Sequence, residues 1–196
     1  MLKKKFLVRG VFLPFILSSS IANAGFDSVR LAYGYSITKN IEMSEIRLAA
    51  RWQLMDFSDD QRGWQHRLLL DTVYTQWDSK LGSSDVKSAE GADHITGFFL
   101  TPIWRMENNS TAIKPYFELG IGPGRISETK FRRKNRTTPL DKISNFQFEV
   151  LLGGGFRFGQ SNQYEIGIHW SHYSNGYTKR PNYTLDHIQL SFGYRF

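Results

Sequence analysis

The run Tyr164-Glu165-Ile166-Gly167-Ile168-His169-Trp170-Ser171-His172-Tyr173-Ser174-Asn175-Gly176, taken with the closing run Asp186-His187-Ile188-Gln189-Leu190-Ser191-Phe192-Gly193-Tyr194-Arg195-Phe196, decides the fold. In the closing run Ile188, Leu190, Phe192, Tyr194 and Phe196 share one parity, while His187, Gln189, Ser191, Gly193 and Arg195 share the other. The earlier run repeats the pattern, with Tyr164, Ile166, Ile168 and Trp170 set against Glu165, Gly167, His169 and Ser171. Period-two alternation marks a strand with one apolar face. Continued forward, the apolar parity of the first run reaches His172 and Ser174; followed backward, that of the second reaches Asp186. A histidine, a serine and an aspartate are therefore expected on the apolar face of two neighbouring strands, near their shared end.

The rest of the chain extends the same pattern. Residues 26–36 place Val29, Leu31, Tyr33 and Tyr35 on one face, and in a second strand Ile46, Leu48, Ala50 and Trp52 oppose Glu45, Arg47, Ala49 and Arg51. A third strand is expected over 64–77, where Leu68-Leu69-Leu70 leaves the facing open. A fourth over 93–106 alternates weakly and carries Pro102, which has no N–H to donate. The fifth (112–122) and sixth (144–158) again alternate, the sixth with Phe146, Phe148, Val150, Leu152, Phe156 and Phe158 together. Residues 78–92 are polar and rich in Gly and Ser, 123–143 carry Arg125, Lys130, Arg132, Arg133, Lys134 and Arg136, and 175–185 follow the first run; all three read as long loops. Eight strands with long and short connections in near alternation imply an all-β fold, an eight-stranded antiparallel transmembrane β-barrel over 25–196. Both termini then lie on the periplasmic side and the long loops outside.

The first residues speak to compartment. Lys3, Lys4, Lys5 and Arg9, the apolar stretch 11–17 and Ala22-Asn23-Ala24 read as a cleaved secretory signal over 1–24. Its apolar stretch is too short to span a bilayer as a helix. The segment has four basic residues and no acid, so its removal takes the formal charge from +7 to +3 (7 − 4) and withdraws support for nucleic-acid binding. With no cysteine, a disulfide or thiolate-metal framework is excluded. His66 and His94 show no metal-ligand spacing, and neither metal nor cofactor is expected. Closure into a barrel also removes the open strand edges that a secreted alternating sheet would expose.

Polar, ionisable groups on a lipid-facing parity are unfavourable and need a reason. A serine becomes a useful nucleophile when an imidazole takes its proton and a carboxylate orients that imidazole. Residues two apart on a strand share a face, and the neighbouring strand can supply a third group. Asp186 is the only carboxylate after Ser174.

His172-Tyr173-Ser174-Asn175-Gly176, followed by Pro181-Asn182 and the ending Tyr194-Arg195-Phe196, resembles the PagL family of lipid A 3-O-deacylases. The resemblance is tight over 164–196 and architectural elsewhere. It implies an outer-membrane barrel that hydrolyses the ester-linked 3-hydroxyacyl chain at position 3 of lipid A. His172 would be the base, Ser174 the nucleophile, and Asn175 part of an oxyanion-stabilising turn with the Gly176 N–H. The family's acid is commonly a Glu fourteen residues after the His; Asp186 stands there, one methylene shorter. The partner implied is lipopolysaccharide in the outer leaflet, and a homodimer is admitted. The basic 123–143 loop would then meet lipid A phosphates.

Blander readings stand beside these. His172 and Ser174 could be tolerated rim residues, Asp186 a strand-start residue, Asn175-Gly176 an ordinary turn pair, and the basic loop a solvated, ion-paired one. Glu165, His169, Arg30, Arg47 and Arg51 read as an interior polar network, and the tryptophans as interface girdle or packing. The alternative function is a non-enzymatic barrel, an adhesin or membrane-integrity protein, which has no need of His and Ser on the lipid face opposite a lone acid. A phospholipid esterase with a calcium site is weaker still, since the loops show no clustered acidic ligands.

Overall fold

The computed structural model describes residues 25–58, 63–82, 85 and 91–196; the expected signal segment 1–24 lies outside them. The strands are β1 (Gly25–Ser36), β2 (Met43–Asp56), β3 (Trp64–Ser79), β4 (His94–Asn108), β5 (Lys114–Ile126), β6 (Phe146–Phe158), β7 (Tyr164–Ser174) and β8 (Leu185–Arg195). Each pairs antiparallel with its neighbour in sequence, and β1 pairs with β8, from Ser28 opposite Arg195 to Ser36 opposite His187. The sheet closes on itself as the expected eight-stranded barrel.

Register settles what alternation left open. In β3, Leu69 points inward among Gln65, Arg67, Asp71, Val73, Thr75 and Trp77, so Leu68 and Leu70 face out. β5 continues past the expected end at 122 to Ile126. The stretch 123–143, expected as loop throughout, thus begins as strand, and it also folds a short ribbon of Lys130–Phe131 against Leu140–Asp141. Pro102 stays within β4 because the β4–β5 ladder skips Leu100–Pro102, opposite the Pro123 region. Two prolines without N–H groups coincide with that gap. Gly122 lets the strands close in there: a Cβ on it would fall 1.9 Å from Leu100 O.

The two faces differ in chemistry. Outside stand Leu31, Leu48, Phe98, Leu119, Ile121, Leu152, Ile168, Leu190 and Phe192, all exposed, with Phe26, Trp52, Tyr164, Tyr194 and Phe196 near the periplasmic rim. An apolar band of this extent fits contact with lipid and not with water. Inside, charges replace apolar packing. Glu118 takes bonds from Arg30 (2.7 Å) and Arg51 (2.5 Å), and Arg51 also pairs with Asp71 (2.7 Å). Arg47 pairs with Glu149 (3.2 Å), Arg105 with Glu165 (2.5 Å) and Arg157 with Glu107 (2.6 Å). His169 joins the network at Glu118, 3.2 Å away. Toward the outer mouth the lumen turns apolar: Ile41, Met43, Trp77, Phe99, Tyr173 and Leu185 pack with Phe131 and Leu140 of the ribbon, which plugs the opening. The tryptophans divide accordingly. Trp77 is wholly interior, while Trp52, Trp64 and Trp104 face out.

Glu118 gathers three arginines, Arg30, Arg51 and Arg105, at its two oxygens. Glu118→Ala should therefore leave uncompensated buried guanidiniums and lower stability by about 3–5 kcal/mol. The outward Leu190→Ala should cost far less, since lipid tails are as apolar as the side chain removed. Urea unfolding of the purified barrel, followed by the gel-mobility difference between folded and heated protein, checks the contrast.

Candidate active site

The site is built on the outer ends of β7 and β8, where the register sets Asp186 directly opposite His172 and Leu185 opposite Tyr173. Tyr173 fixes this end of the strand. Its ring lies 4.8 Å from Trp77 and 5.2 Å from Phe99 between centroids, and its hydroxyl shares its one proton between Glu45 (2.8 Å) and Glu149 (3.0 Å). With Tyr173 held in the lumen, the pleat sends His172 and Ser174 to the opposite, outer face. His172 stands beside Trp170 on that face, and Ser174 pairs across to Phe148 of β6.

His172 Nδ1 lies 2.8 Å from Asp186 Oδ1. The aspartate thus reaches the imidazole despite its shorter arm. Thr38, in the β1–β2 connection, accepts the Asp186 N–H at 2.8 Å, and the Thr184 hydroxyl donates to Asp186 Oδ2 at 3.4 Å. The Ile37 N–H bonds the Asp186 carbonyl at 2.9 Å, so the N–H and the C=O of Asp186 are both held by the β1–β2 connection. With Nδ1 committed to the carboxylate, Nε2 is the nitrogen left for a proton transfer. Ser174 shares the face of His172, is mostly covered, and its hydroxyl has no hydrogen-bond partner among the described residues. Catalytic hydrogen bonds are often long before substrate arrives.

Asn175 begins a tight turn. The Thr178 N–H bonds the Asn175 carbonyl at 3.1 Å, and the two central residues have positive φ, Gly176 at 61° and Tyr177 at 59°, as in a type I′ turn. A Cβ at 176 would also come within 2.9 Å of the Phe148 ring, so glycine is needed there twice over. The Asn175 side chain is buried beneath the turn, its Nδ2 donating to Lys179 O (3.0 Å) and Lys142 O (3.3 Å). Its backbone N–H goes to Asn182 Oδ1 at 2.9 Å. The Gly176 N–H has no partner among the described residues. Thus the structure joins His172 to Asp186, sets Ser174 and Gly176 next along the strand, and turns the Asn175 amide inward. Thr38 carries no signal in the sequence that could have found it, being 148 residues from the Asp186 N–H it accepts. Asn182 stands in the quoted motif without a role readable from it. Among the described residues no cluster of three His, Asp or Glu side chains is placed to hold a metal ion.

The basic loop is partly spent within the fold: Arg132 pairs with Asp93 (2.5 Å) and Lys134 with Glu42 (2.7 Å). Arg125 and Lys179 instead line a rim pocket of about 310 Å³ with Ile143, Ser144, Asn145 and Phe146. Below it an apolar groove of about 600 Å³ runs down the outer wall past Phe146, Leu100, Phe98 and Tyr74.

Fold and site together define a class: a small transmembrane barrel with a histidine–carboxylate pair and a serine on its outward face, near the outer rim. Residues 44–195 match the family model described as lipid A 3-O-deacylase (PagL), and the chain belongs to that family. It is 41% identical over 81 residues to the lipid A deacylase PagL of Bordetella bronchiseptica, covering 41% of each protein. It is 30% identical over 123 residues to the lipid A deacylase PagL of Pseudomonas aeruginosa, covering 62% of this chain and 61% of that one. The matches thus span less than two thirds of these curated relatives' lengths. In architecture the chain is similar to the crystal structure of the outer membrane enzyme PagL, with a TM-score of 0.67, 24% identity, and coverage of 86% of this chain and 99% of the other.

A serine-directed phosphonate should label Ser174 and no other serine. Labelling should vanish in His172→Ala and slow by roughly 10⁴-fold in Asp186→Asn, where the imidazole loses its oriented tautomer. Mass spectrometry of the labelled peptide and the labelling time course are the readouts; equal rates in wild type and Asp186→Asn would sink the role of the carboxylate.

Proposed function

We propose that this chain is an outer-membrane esterase that removes the 3-O-linked 3-hydroxyacyl chain of lipid A. The observation that carries the reading is the His172–Asp186 contact beside Ser174 on the lipid-facing wall of a barrel belonging to this family. Lipid A lies in the outer leaflet, so its acyl esters meet the barrel from outside and near the outer rim, which is where these residues stand.

Ser174 Oγ attacks the ester carbonyl carbon while His172 Nε2 accepts the hydroxyl proton, and Asp186 holds the Nδ1 proton and stabilises the imidazolium. The carbonyl oxygen gains the negative charge, and the free Gly176 N–H is the donor available to it. Asn175 serves by shaping the turn that aims this N–H, through its side-chain bonds to Lys179 O and Lys142 O. The tetrahedral adduct expels the sugar 3-oxygen, which takes the proton from His172, and leaves an acyl-serine. Water then attacks that ester with His172 as base, the 3-hydroxy acid departs, and Ser174 is regenerated. Every bond formed or broken is accounted for by one serine, one histidine and water.

Arg125 and Lys179, without an ion-pair partner among the described residues, suit a phosphate of the lipid A headgroup, and the groove beneath them suits an acyl chain.

Lipid A from cells producing the wild-type chain should lose one hydroxyacyl mass, and that from cells producing Ser174→Ala or His172→Ala should not. Intact lipid A in the wild type, repeated on purified lipid A in detergent, would overturn the reading and favour a non-enzymatic barrel. The double change Arg125→Ala, Lys179→Ala should raise KM for phosphorylated lipid A by roughly tenfold, the value of one charged hydrogen bond, and leave a neutral ester substrate unaffected.

A further inference from the structure

Lys142 lies between the plug ribbon and β6, its side chain fully buried. Its Nζ donates to Tyr173 O at 2.8 Å, to Tyr183 O at 3.0 Å and to Gln147 Oε1 at 3.0 Å. Its own carbonyl accepts the Asn175 side chain. These bonds join the β5–β6 connection to three parts of the site. The Tyr173 carbonyl belongs to the peptide linking that residue to Ser174. Tyr183 precedes Thr184, whose hydroxyl donates to Asp186, and Asn175 opens the turn that presents the Gly176 N–H.

No carboxylate bonds Nζ. The titratable groups that face it are Asp186 and His187 of β8, both at the range of charge–charge interaction. Tyr173 and Tyr183 offer it carbonyls and not hydroxyls, and Asp141 on its own segment accepts instead from the Ile143 N–H. Burial pulls the ammonium pKa down to about 7, and only the Asp186 charge opposes this. A buried cation of this kind is expensive to keep unless its hydrogen bonds are complete. An ammonium has three donors and no lone pair, so three oxygens suit the charged form; a neutral amine would turn its lone pair toward one of them.

We propose that Lys142 is a positioning residue for this site, its ammonium fixing the Tyr173–Ser174 peptide and the Tyr183 carbonyl so that Ser174 and Asp186 are held on either side of His172. The role rests on the deacylase reading for its substrate but not for its geometry. Lys142→Met keeps length and volume and removes the charge; Lys142→Arg keeps a charge that does not titrate near neutrality.

The test uses purified full-length barrels, checked for folded gel mobility, with lipid A in detergent and, in parallel, phosphonate labelling of Ser174. Lys142→Met should lower kcat and the labelling rate by roughly 10–100-fold, the effect of a misplacement on the order of 1 Å, with KM changed less than about twofold because no lipid contact is removed. Lys142→Arg should recover much of that loss. The wild-type rate should fall as pH rises through about 7, where Lys142 sheds its proton, and this alkaline limb should be missing in Lys142→Arg. A well-folded Lys142→Met with wild-type kcat and labelling rate overturns the proposal, as does a loss that appears in KM alone. A wild type that labels at Ser174 yet leaves lipid A intact overturns the deacylase reading instead, and the labelling rates of the variants still decide the role of Lys142.

Discussion

A strand crossing a bilayer has no water to which its N–H and C=O groups can turn, so each group must bond to a neighbouring strand and the last strand must return to the first. Here that return is the β1–β8 ladder. Once the sheet is closed, the pleat sorts every side chain to lipid or lumen with no intermediate choice, and a one-residue slip would exchange the two sets. The catalytic candidates inherit their position from this sorting. His172 and Ser174 face the membrane because Tyr173 between them is bound in the lumen, its ring against Trp77 and its hydroxyl on Glu45 and Glu149.

The lumen solves a problem that the closed sheet creates. Eight strands enclose a space just wide enough for side chains to fill, and the alternation that places apolar residues outside leaves polar ones within. Most charges there are paired: Glu118, Asp71, Glu149, Glu165 and Glu107 supply carboxylates to Arg30, Arg47, Arg51, Arg105 and Arg157, while Glu45 is held by the Thr75 and Tyr173 hydroxyls and the Gln189 amide. The planar guanidinium suits this work because it bridges carboxylates on different strands, as Arg51 bridges Asp71 and Glu118. Farther out the fill changes from ionic to aromatic, and the ribbon carrying Phe131 and Leu140 closes the mouth. The site therefore rests on a packed interior at its own height in the barrel.

What was legible in the sequence follows the same physics. β1, β2, β7 and β8 alternate cleanly because one face meets lipid and the other meets charge, so their facing and the shared parity of His172, Ser174 and Asp186 can be read directly. β3 resists because Val73 and Trp77 point inward at the aromatic plug and Leu69 points inward against Ile103 and Leu151, so apolar residues fall on both faces. β4 resists because Phe99 and Ile103 do the same and Pro102 interrupts the ladder. The ribbon within 123–143 is invisible for another reason: it has two residues per strand, and its stability comes from Phe131 and Leu140 inserting in the mouth, not from a local pattern. Of the site, side-chain types and spacing mark His172, Ser174 and Asp186. Thr38, Asn182 and Lys142 act through backbone groups, and contacts to backbone leave no compositional trace.

The His172–Asp186 contact shows how such a scaffold fixes a cross-strand pair. A carboxylate one methylene shorter can reach the same imidazole only if its backbone stands in the right place, and that backbone is fixed independently of the side chain. Asp186 sits directly across the ladder from His172. Its N–H is bound by Thr38 and its carbonyl by the Ile37 N–H, both from the β1–β2 connection. At a directly opposed cross-strand pair the side-chain roots are only about 4.5–5.5 Å apart, a span that an aspartate and an imidazole close without stretching. The shorter acid also has fewer rotamers to lose on being ordered. The ladder, and not the length of the acid, sets the distance between His172 and Asp186.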